Sequence, residues 1–547
     1  MRSALFYLKS QFSTRIKARL RQTIMNAQRA VRSILAAIPI AGLWILDFSP
    51  NLLFLKENSI GWVILAIYPQ SQIAVAGPIV AAPDGTGTAI TPGPRTGPPT
   101  RYDITGGTPS RDGANLFHSF TRFGLNSGET ANFISNPAIQ NILGRVVGGD
   151  ASLINGLIKV SGGNSNLFLM NPAGIIFGTN ARLDVPGSFF ATTASGIGFD
   201  NRWFNGTGVN DYAVLVGMPN AFAFPAQSGS IVNAGKLAVG NGQNLTLLGG
   251  TVISTGELSA PKGQITVAAV PGENLVRLSQ NGLLLSLEVS PSPGMSGSGT
   301  LPFSPLSLPR LLSGRGTEHA TGIIVNAQGQ VVLTGGETVA AVAGTAIVSG
   351  AADVSAPNGT GGTVNVLGDR VGLFGAKINA SGADGGGTVR IGGDYRGAGT
   401  VPNATMTYVD GKSSIATNAT QAGNGGNVVV WADNTTAFLG SISAQGVSTT
   451  PGSGGVGGFV EVSGLQRLVF NGTVDTTGTN GLGTLLLDPE NILITDSAES
   501  ADDAAIIANN NILATATSPV QPNTSEASLT ISEIGRASVG KECRSRW

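Results

Sequence analysis

The feature that most constrains this chain is a recurring glycine followed at once by alternating apolar residues. The pattern occurs as Gly362-Thr-Val364-Asn-Val366, Gly387-Thr-Val389-Arg-Ile391, Gly426-Asn-Val428-Val-Val430, Gly458-Phe-Val460-Glu-Val462 and Gly483-Thr-Leu485-Leu-Leu487. Looser copies lie earlier, at Leu237-Ala-Val239, Leu245-Thr-Leu247 and Ile265-Thr-Val267. Alternation with a period of two places one set of side chains on one face of a strand, so the pattern predicts many short, one-sided β-strands.

The glycines of the five clear copies are 25, 39, 32 and 25 residues apart. Repeats of roughly 20–25 residues indicate a solenoid, because each coil buries its apolar face only by stacking on its neighbours. The longer spacings predict coils with an extra loop, one of them around Val401–Lys412. A β-propeller is the alternative, but its blades need about 40 or more residues and periodic aromatic motifs. The chain has only five Trp, so we predict an all-β, single-stranded parallel β-helix over residues 80–495.

Composition agrees with this prediction and excludes some functions. Glycine contributes 79 residues and charged residues only 12%, which is unusual for a soluble α/β enzyme, while 41% apolar residues argue against disorder. The formal net charge is zero, but basic residues are concentrated at the two ends and residues 77–532 are net acidic. A nucleic-acid partner is therefore disfavoured, because it requires a concentrated basic face.

The first 76 residues predict a signal or leader region for Sec-dependent export. Residues 1–33 hold eight basic residues and no acid, and the apolar stretches Ile34–Leu46 and Ile60–Tyr68 follow. Each stretch is shorter than the roughly 20 residues that span a bilayer. Ala74-Val75-Ala76 matches a signal-peptidase site, with Ala74 and Ala76 as the small residues. An uncleaved anchor and a true start at Met25 remain the alternatives.

Composition also divides the remainder of the chain. Residues 77–290 are predicted as one β-helical domain, and residues 291–322, rich in Pro, Ser and Gly, as a loop or joint, since proline cannot donate to a strand ladder. Coils are expected to resume near Ile323 and to form a repeat arm over residues 323–495. Residues 496–532 are a less regular continuation.

Residues 101–200 carry the most distinctive motifs. They include Asn115-Leu-Phe-His-Ser-Phe120, Asn166-Leu-Phe-Leu-Met170 and Asn171-Pro-Ala-Gly-Ile175. The last predicts a type I turn between two apolar strands, with Asn first, Pro presetting φ and Gly closing it. In this order, after a signal region, the segments resemble the N-terminal secretion domain of two-partner-secretion exoproteins, the filamentous haemagglutinin family. That family has Asn-Pro-Asn-Gly-Ile, which Asn171, Pro172, Gly174 and Ile175 match and Ala173 does not.

The resemblance covers residues 80–290 and implies a right-handed β-helix. It also implies recognition by an outer-membrane transporter and a secreted or surface location in a Gram-negative-type bacterium. On this basis the secretion-signature residues are Asn115, Asn166, Asn171, Pro172, Gly174 and Ile175. The expected function is that of an adhesin whose surface ligand, a glycan, protein or matrix component, is not identified by the sequence.

A β-helical polysaccharide lyase or glycosidase is the enzymatic alternative. Its two carboxylates would have to come from Asp353, Asp369, Asp384, Asp394, Glu461, Asp475 and Asp488. Each is better explained as a turn or solvent-facing strand residue. The two histidines do not suggest catalysis, since His118 lies in an apolar run and His319 has no visible partner. We therefore expect no catalytic residues, no metal site and no cofactor.

The last fifteen residues, 533–547, break abruptly from the preceding composition. They resemble the conceptual translation of a sequencing adapter, so we expect an artefact there. The natural protein would then lack Cys543, the only cysteine, and be longer. A genuine basic tail is the alternative.

Overall fold

The computed structural model describes residues 43–49, 52–57, 62–65, 79–93, 101–272, 274–278, 285–289, 322–325, 331–334, 339–340, 343–399, 401–448, 454–487 and 492–494. The chain divides into two compact units, Met1–Val75 and Ala76–Trp547. In the first unit, the strands Leu43–Ser49, Leu52–Glu57 and Trp62–Leu65 pair in sequence as an antiparallel sheet. The proposed cleavage residues Ala74 and Ala76 lie outside the described residues.

The second unit is built from three long sheets, each of which receives one short strand from nearly every coil. Sheet 1 contains Val80–Ala81, Thr108–Pro109, Asn115–Arg122, Asn141–Val146, Asn166–Met170, Phe189–Thr192, Asn244–Gly249, Gln264–Ala269, Thr363–Leu367, Thr388–Ile391, Asn427–Ala432, Phe459–Gly464 and Thr484–Leu486. Sheet 2 contains Ser152–Ile154, Ile175–Phe177, Ser230–Asn233, Thr251–Ser254, Thr345–Val348, Arg370–Leu373, Met406–Val409, Thr435–Phe438, Arg467–Phe470 and Ile492–Ile494. Sheet 3 contains Thr88–Pro92, Arg101–Gly106, Thr130–Ile134, Leu157–Ser161, Arg182–Asp184, Lys236–Ala238, Glu257–Ser259, Ala351–Asp353, Lys377–Asn379, Ser414–Ala416, Ser441–Ser443 and Thr473–Asp475.

Within each sheet the strands of successive coils are parallel, which confirms the predicted all-β, right-handed single-stranded parallel β-helix. The exceptions in these sheets are at the N-terminal end. There Val80–Ala81, Thr88–Pro92 and Thr108–Pro109 pair antiparallel with their neighbours. These segments add antiparallel cover to the first coils, whose strand edges would otherwise offer unpaired backbone groups.

The core lies inside the coils and consists of the alternating apolar residues of the repeats. Ile265, Val364, Val389, Val428 and Val460 are successive partners in sheet 1, and all are fully buried. The predicted strand positions and the spacings of 25, 39, 32 and 25 residues are therefore those of the paired coils. Complete burial of an aliphatic side chain stabilises by about 1.5–3 kcal/mol, so each coil gains most of its stability from its neighbours.

Close approach of the backbone of the preceding coil explains why each repeat begins with glycine. A Cβ on Gly362, Gly387, Gly426 or Gly458 would lie 2.1–2.2 Å from a backbone oxygen of a glycine in the preceding coil. Since the opposing atom is backbone, it cannot turn aside as a side chain would. The five glycines seen in the sequence, together with Gly263, form a column at which neighbouring coils approach too closely for any other residue.

Insertions project from this helix between sheet 1 and sheet 2. The strands Gly196–Phe199, Arg202–Asn205, Ala221–Phe224, Asn274–Leu278 and Leu285–Val289 form an antiparallel sheet. Its buried residues join the outer face of sheet 1 in a second apolar core, which includes Phe117, Phe168 and Phe190 of sheet 1 and Phe204 and Phe222 of the insertion. Single-turn 3-10 helices are found at Tyr212–Val214 and Tyr395–Gly397.

Two sequence-based placements are wrong. Coils do not resume near Ile323, since Gly322–Val325, Val331–Thr334 and Val339–Ala340 form an antiparallel sheet of their own. They resume at Thr345–Val348, which pairs directly with Thr251–Ser254, so coil stacking continues across the insertion. The extra loop predicted around Val401–Lys412 is also misplaced, because Met406–Val409 is a regular sheet 2 strand. The additional residues precede it, and the apolar pattern alone could not distinguish loop from strand there.

Candidate functional site

The predicted turn at Asn171 joins the sheet 1 strand Asn166–Met170 to the sheet 2 strand Ile175–Phe177. The Gly174 N–H donates to the Asn171 carbonyl at 3.0 Å and closes the turn. The buried Asn171 side chain accepts from the Ala173 N–H at 3.0 Å and donates to the Asp150 carbonyl at 3.0 Å. A single side chain therefore fixes the turn internally and ties it to the segment that precedes it in the stack.

The turn is also held by the coil that follows it. The Gly229 N–H donates to the Pro172 carbonyl at 3.0 Å. Gly174 has a φ of +128°, and a Cβ there would lie 3.1 Å from the Ser230 carbonyl oxygen, so glycine is required for both conformation and space. Ala173, which replaces the family's Asn, is the exposed member of the motif. Its departure from the pattern leaves the buried contacts of the turn in place.

The other two predicted asparagines belong to a ladder with a third that the sequence analysis missed. Asn115, Asn141 and Asn166 are direct partners at the start of successive sheet 1 strands. Asn166 Nδ2 donates to Asn141 Oδ1 at 2.9 Å, and Asn141 Nδ2 donates to Asn115 Oδ1 at 2.8 Å. The 26- and 25-residue spacings of these asparagines match one coil, which is the signal that would have identified Asn141.

Both ends of the ladder are anchored. Asn115 Nδ2 donates to the Leu215 and Gly217 carbonyls, each at 2.9 Å, which attaches the insertion to the helix. At the other end, Asn166 Oδ1 accepts from the Ser188 N–H at 2.8 Å. The ladder and the Asn171 turn lie at opposite ends of the strand Asn166–Met170. The six predicted residues thus form two structures rather than one cluster.

A buried arginine holds the insertion and the N-terminal segment against sheet 1. The Arg145 guanidinium, 2% exposed, donates to Asp84 Oδ2 at 2.9 Å and to the Asn205 and Gly208 carbonyls at 2.8 and 2.9 Å. Burial would raise the pKa of Asp84, but hydrogen bonds from Ser119, Thr86 and Arg145 outweigh it and lower that pKa to about 2. Nothing in the sequence marks Arg145, since a lone basic residue in a strand usually faces solvent.

His118 is fully buried among Phe120 and Phe133, in agreement with its prediction as a structural residue. Neither ring nitrogen has a hydrogen-bond partner in the structure. Burial lowers the pKa of His118 to about 4, because the charged imidazolium would be deprived of water. His118 is therefore neutral at physiological pH.

Three of the carboxylates considered for catalysis, Asp353, Asp394 and Asp475, are engaged in local turns. Asp353 and Asp475 accept backbone N–H groups two residues ahead, whereas Asp488 and His319 lie outside the described residues. The expectation that Glu461 faces solvent is wrong. Its side chain points away from the helix interior but is fully buried, because the turn Tyr395–Gly397 covers it and the Arg396 N–H donates to both carboxylate oxygens.

Two features are absent from the described part of the chain. It holds no group of three or more His, Cys, Asp or Glu side chains that could bind a metal. It also holds no helix long and apolar enough to cross a membrane.

Comparison with known proteins gives one family match. The family model of the TPS secretion domain matches residues 81–301, a range that contains the ladder, the turn and Arg145. Among solved structures, the chain is similar to the HMW1 secretion domain from Haemophilus influenzae, with 22% identity and a TM-score of 0.38 over 75% of this chain and 99% of that one. It is also similar to the filamentous hemagglutinin secretion domain, with 12% identity and a TM-score of 0.29 over 74% and 99%. No curated protein matches the chain.

Proposed function

We propose, from the match of residues 81–301 to the family model of the TPS secretion domain, that an outer-membrane partner transporter exports this chain to act as an adhesin. The match over residues 81–301 is the observation that carries the proposal. It supports a two-partner-secretion exoprotein, the class of protein that such transporters export. Export by such a transporter and the adhesive role are the parts that we propose.

The six signature residues are proposed to act while the domain folds. Asn115, Asn171, Gly174 and Ile175 are buried in the folded domain, and Asn166 and Pro172 are half-buried. A transporter that meets the folded coils would find little of them. We therefore infer that the segment reaches the transporter unfolded, and that the turn and the ladder fix strand register as coils form outside the cell.

Two physical arguments support this order of events. A solenoid can fold from one end, because each coil contacts mainly its neighbours. In addition, a one-residue slip in strand register would turn every core side chain outward, so an early fixed register is valuable. Residues 77–290 contain no cysteine, so no disulfide within them can obstruct threading.

The coils beyond the secretion domain are proposed to present the binding surface of the adhesin, on the cell surface or released from it. The TPS secretion domain is a non-enzymatic exoprotein domain. We extend that character to the arm, because its considered carboxylates that the structure describes are mostly committed to turns or buried, as with Asp353 and Glu461. The proposed partners are thus the transporter and a ligand at a surface.

The test is export of the full chain with and without its partner transporter, measured as the ratio of external to periplasmic protein. Replacing Pro172 and Gly174 together, as Pro172→Ala with Gly174→Val, should lower that ratio several-fold, because both residues set the turn. Asn180→Ala, at an exposed position following the next strand, is the matched control and should be exported normally. Equal export of the double variant and the control would refute the role of the turn.

A further inference from the structure

The second apolar core covers the outer face of sheet 1 over most of its length, but it leaves one stretch open to solvent. There, a groove of about 370 Å³ lies over the strands Thr388–Ile391, Asn427–Ala432 and Phe459–Gly464. Val429 and Phe459 form part of its lining, and Tyr395 stands against it from the neighbouring 3-10 turn. Its volume is within the range of about 300–1,000 Å³ typical of small-ligand sites.

The turn that carries Tyr395 is held in an unfavourable conformation. Arg396 has a φ of +54°, a left-handed value that is uncommon outside glycine. The Arg396 N–H donates to both oxygens of the fully buried Glu461 carboxylate, at 3.2 and 3.1 Å. Gly397 packs so closely on the Trp431 ring that a Cβ would lie 2.6 Å from it. Left-handed backbone at a non-glycine residue costs free energy, and such strain concentrates at functional sites.

This arrangement keeps a large aromatic residue partly in water. Tyr395 is 45% exposed, although its ring lies 5.6 Å from that of Phe459. Asp394 Oδ1 accepts from the Tyr395 N–H at 2.8 Å, which fixes the backbone of Tyr395. A simple connection between sheet 1 and sheet 2 does not require a half-exposed tyrosine to be fixed beside a groove.

The chemistry of the groove combines an apolar surface with fixed polar groups. Arg390 and Asp394 form an ion pair at 3.1 Å, so their charges compensate each other. Asn427, whose amide both donates and accepts, is exposed on the same lining. A sugar ring has the complementary surface, because one face presents C–H groups that pack on an aromatic ring and its edge carries hydroxyls that donate and accept.

We propose that the groove between Tyr395 and Asn427 binds an uncharged pyranose unit of a surface glycan. Tyr395 and Phe459 provide the apolar contact, and the Arg390–Asp394 pair and Asn427 hydrogen-bond the hydroxyls. Compensation of Arg390 by Asp394 disfavours an anionic sugar. The biological role of this glycan site rests on the proposed adhesive function, which it makes more specific. The chemistry of binding does not depend on that function.

Saturation-transfer NMR with the full chain tests the site directly. The probes are the methyl glycosides of glucose, galactose, mannose, N-acetylglucosamine and N-acetylgalactosamine, with that of sialic acid as the anionic comparison. At least one neutral glycoside should receive saturation, and Tyr395→Ala should weaken its binding at least tenfold. Tyr395→Phe should retain most binding, whereas Lys377→Ala, on sheet 3, should change nothing.

Binding of none of the neutral glycosides would overturn the proposal, and so would undiminished binding by Tyr395→Ala. A parallel assay of adhesion to glycan-bearing cells separates this inference from the adhesive function. If the unmodified chain adheres, but Tyr395→Ala weakens neither glycoside binding nor adhesion, the glycan site is refuted and adhesion stands. If the unmodified chain binds a glycoside in a Tyr395-dependent manner but adheres to no surface, the site stands and the adhesive function is refuted.

Discussion

Replacement of Asn141 by alanine tests the part of the secretion domain that the structure adds to the sequence. The change removes the acceptor for Asn166 Nδ2 and the donor to Asn115 Oδ1. A buried polar group left without a partner costs about 1–3 kcal/mol. Asn115 is fully buried, but Asn166 is half-buried and water can replace part of its lost bond. We therefore expect a loss of about 2–3 kcal/mol in the local free energy of unfolding.

Amide hydrogen exchange is the appropriate assay, because a long solenoid need not unfold in two states, whereas exchange reports each region separately. Protection of Asn115–Arg122, Asn141–Val146 and Asn166–Met170 should fall roughly 30- to 150-fold, as 1.36 kcal/mol corresponds to a factor of ten. Asn427→Ala is the matched control, since Asn427 occupies the same position of a sheet 1 strand but is exposed. If Asn141→Ala loses no more protection than Asn427→Ala, the ladder does not stabilise the coils as we argue.

Four further predictions follow from the described contacts. Gly426→Ala should destabilise its coils by about 3 kcal/mol, measured by amide hydrogen exchange of the adjoining sheet 1 strands, because its Cβ would lie 2.2 Å from a backbone oxygen, whereas Gly481→Ala, with 3.8 Å of clearance, should change little. The pKa of His118, about 4 when folded, lies below its unfolded value of 6.5. The free energy of unfolding is therefore not reduced by His118 above pH 6.5, and it falls by up to about 3 kcal/mol as the pH drops to 4. His118→Leu should remove that loss. Arg145→Met should lower the local free energy of unfolding by about 3 kcal/mol, because Asp84 and two backbone carbonyls lose their donor. Amide exchange of Arg202–Asn205 should be faster in this variant, and normal protection there would show that Arg145 does not hold the insertion in place. Incubation with plant, algal and bacterial polysaccharides should release no reducing ends, and cleavage abolished by one Asp or Glu substitution would reverse our view of the arm.

The sequence predicted those parts of the fold that depend on local pattern. Alternation after Gly362 and its successors identified the core strands of sheet 1, because core residues must follow the period of the strand. The same glycines marked the coil spacing, although only the structure shows that neighbouring backbones exclude a Cβ. The Asn171 turn was also predictable, since Asn, Pro and Gly each have a defined preference within four residues.

What could not be predicted depends on contacts made by the insertions. Arg145 alternates as a solvent-facing residue would, and only the insertion at Asn205 and Gly208 buries it. Glu461 was misassigned for the same reason, since a turn 65 residues earlier in the chain covers it. Tyr395 had no sequence signal at all, because its proposed role depends on a strained turn beside an open stretch of sheet 1.

We propose that the N-terminal domain alone directs export of this chain through a partner transporter. The most direct measurement is the external fraction of a chain truncated after residue 301, produced with and without that transporter. External protein should be abundant only when the transporter is present. Equal amounts outside the cell in both cases would contradict it, even though the β-helix itself would stand.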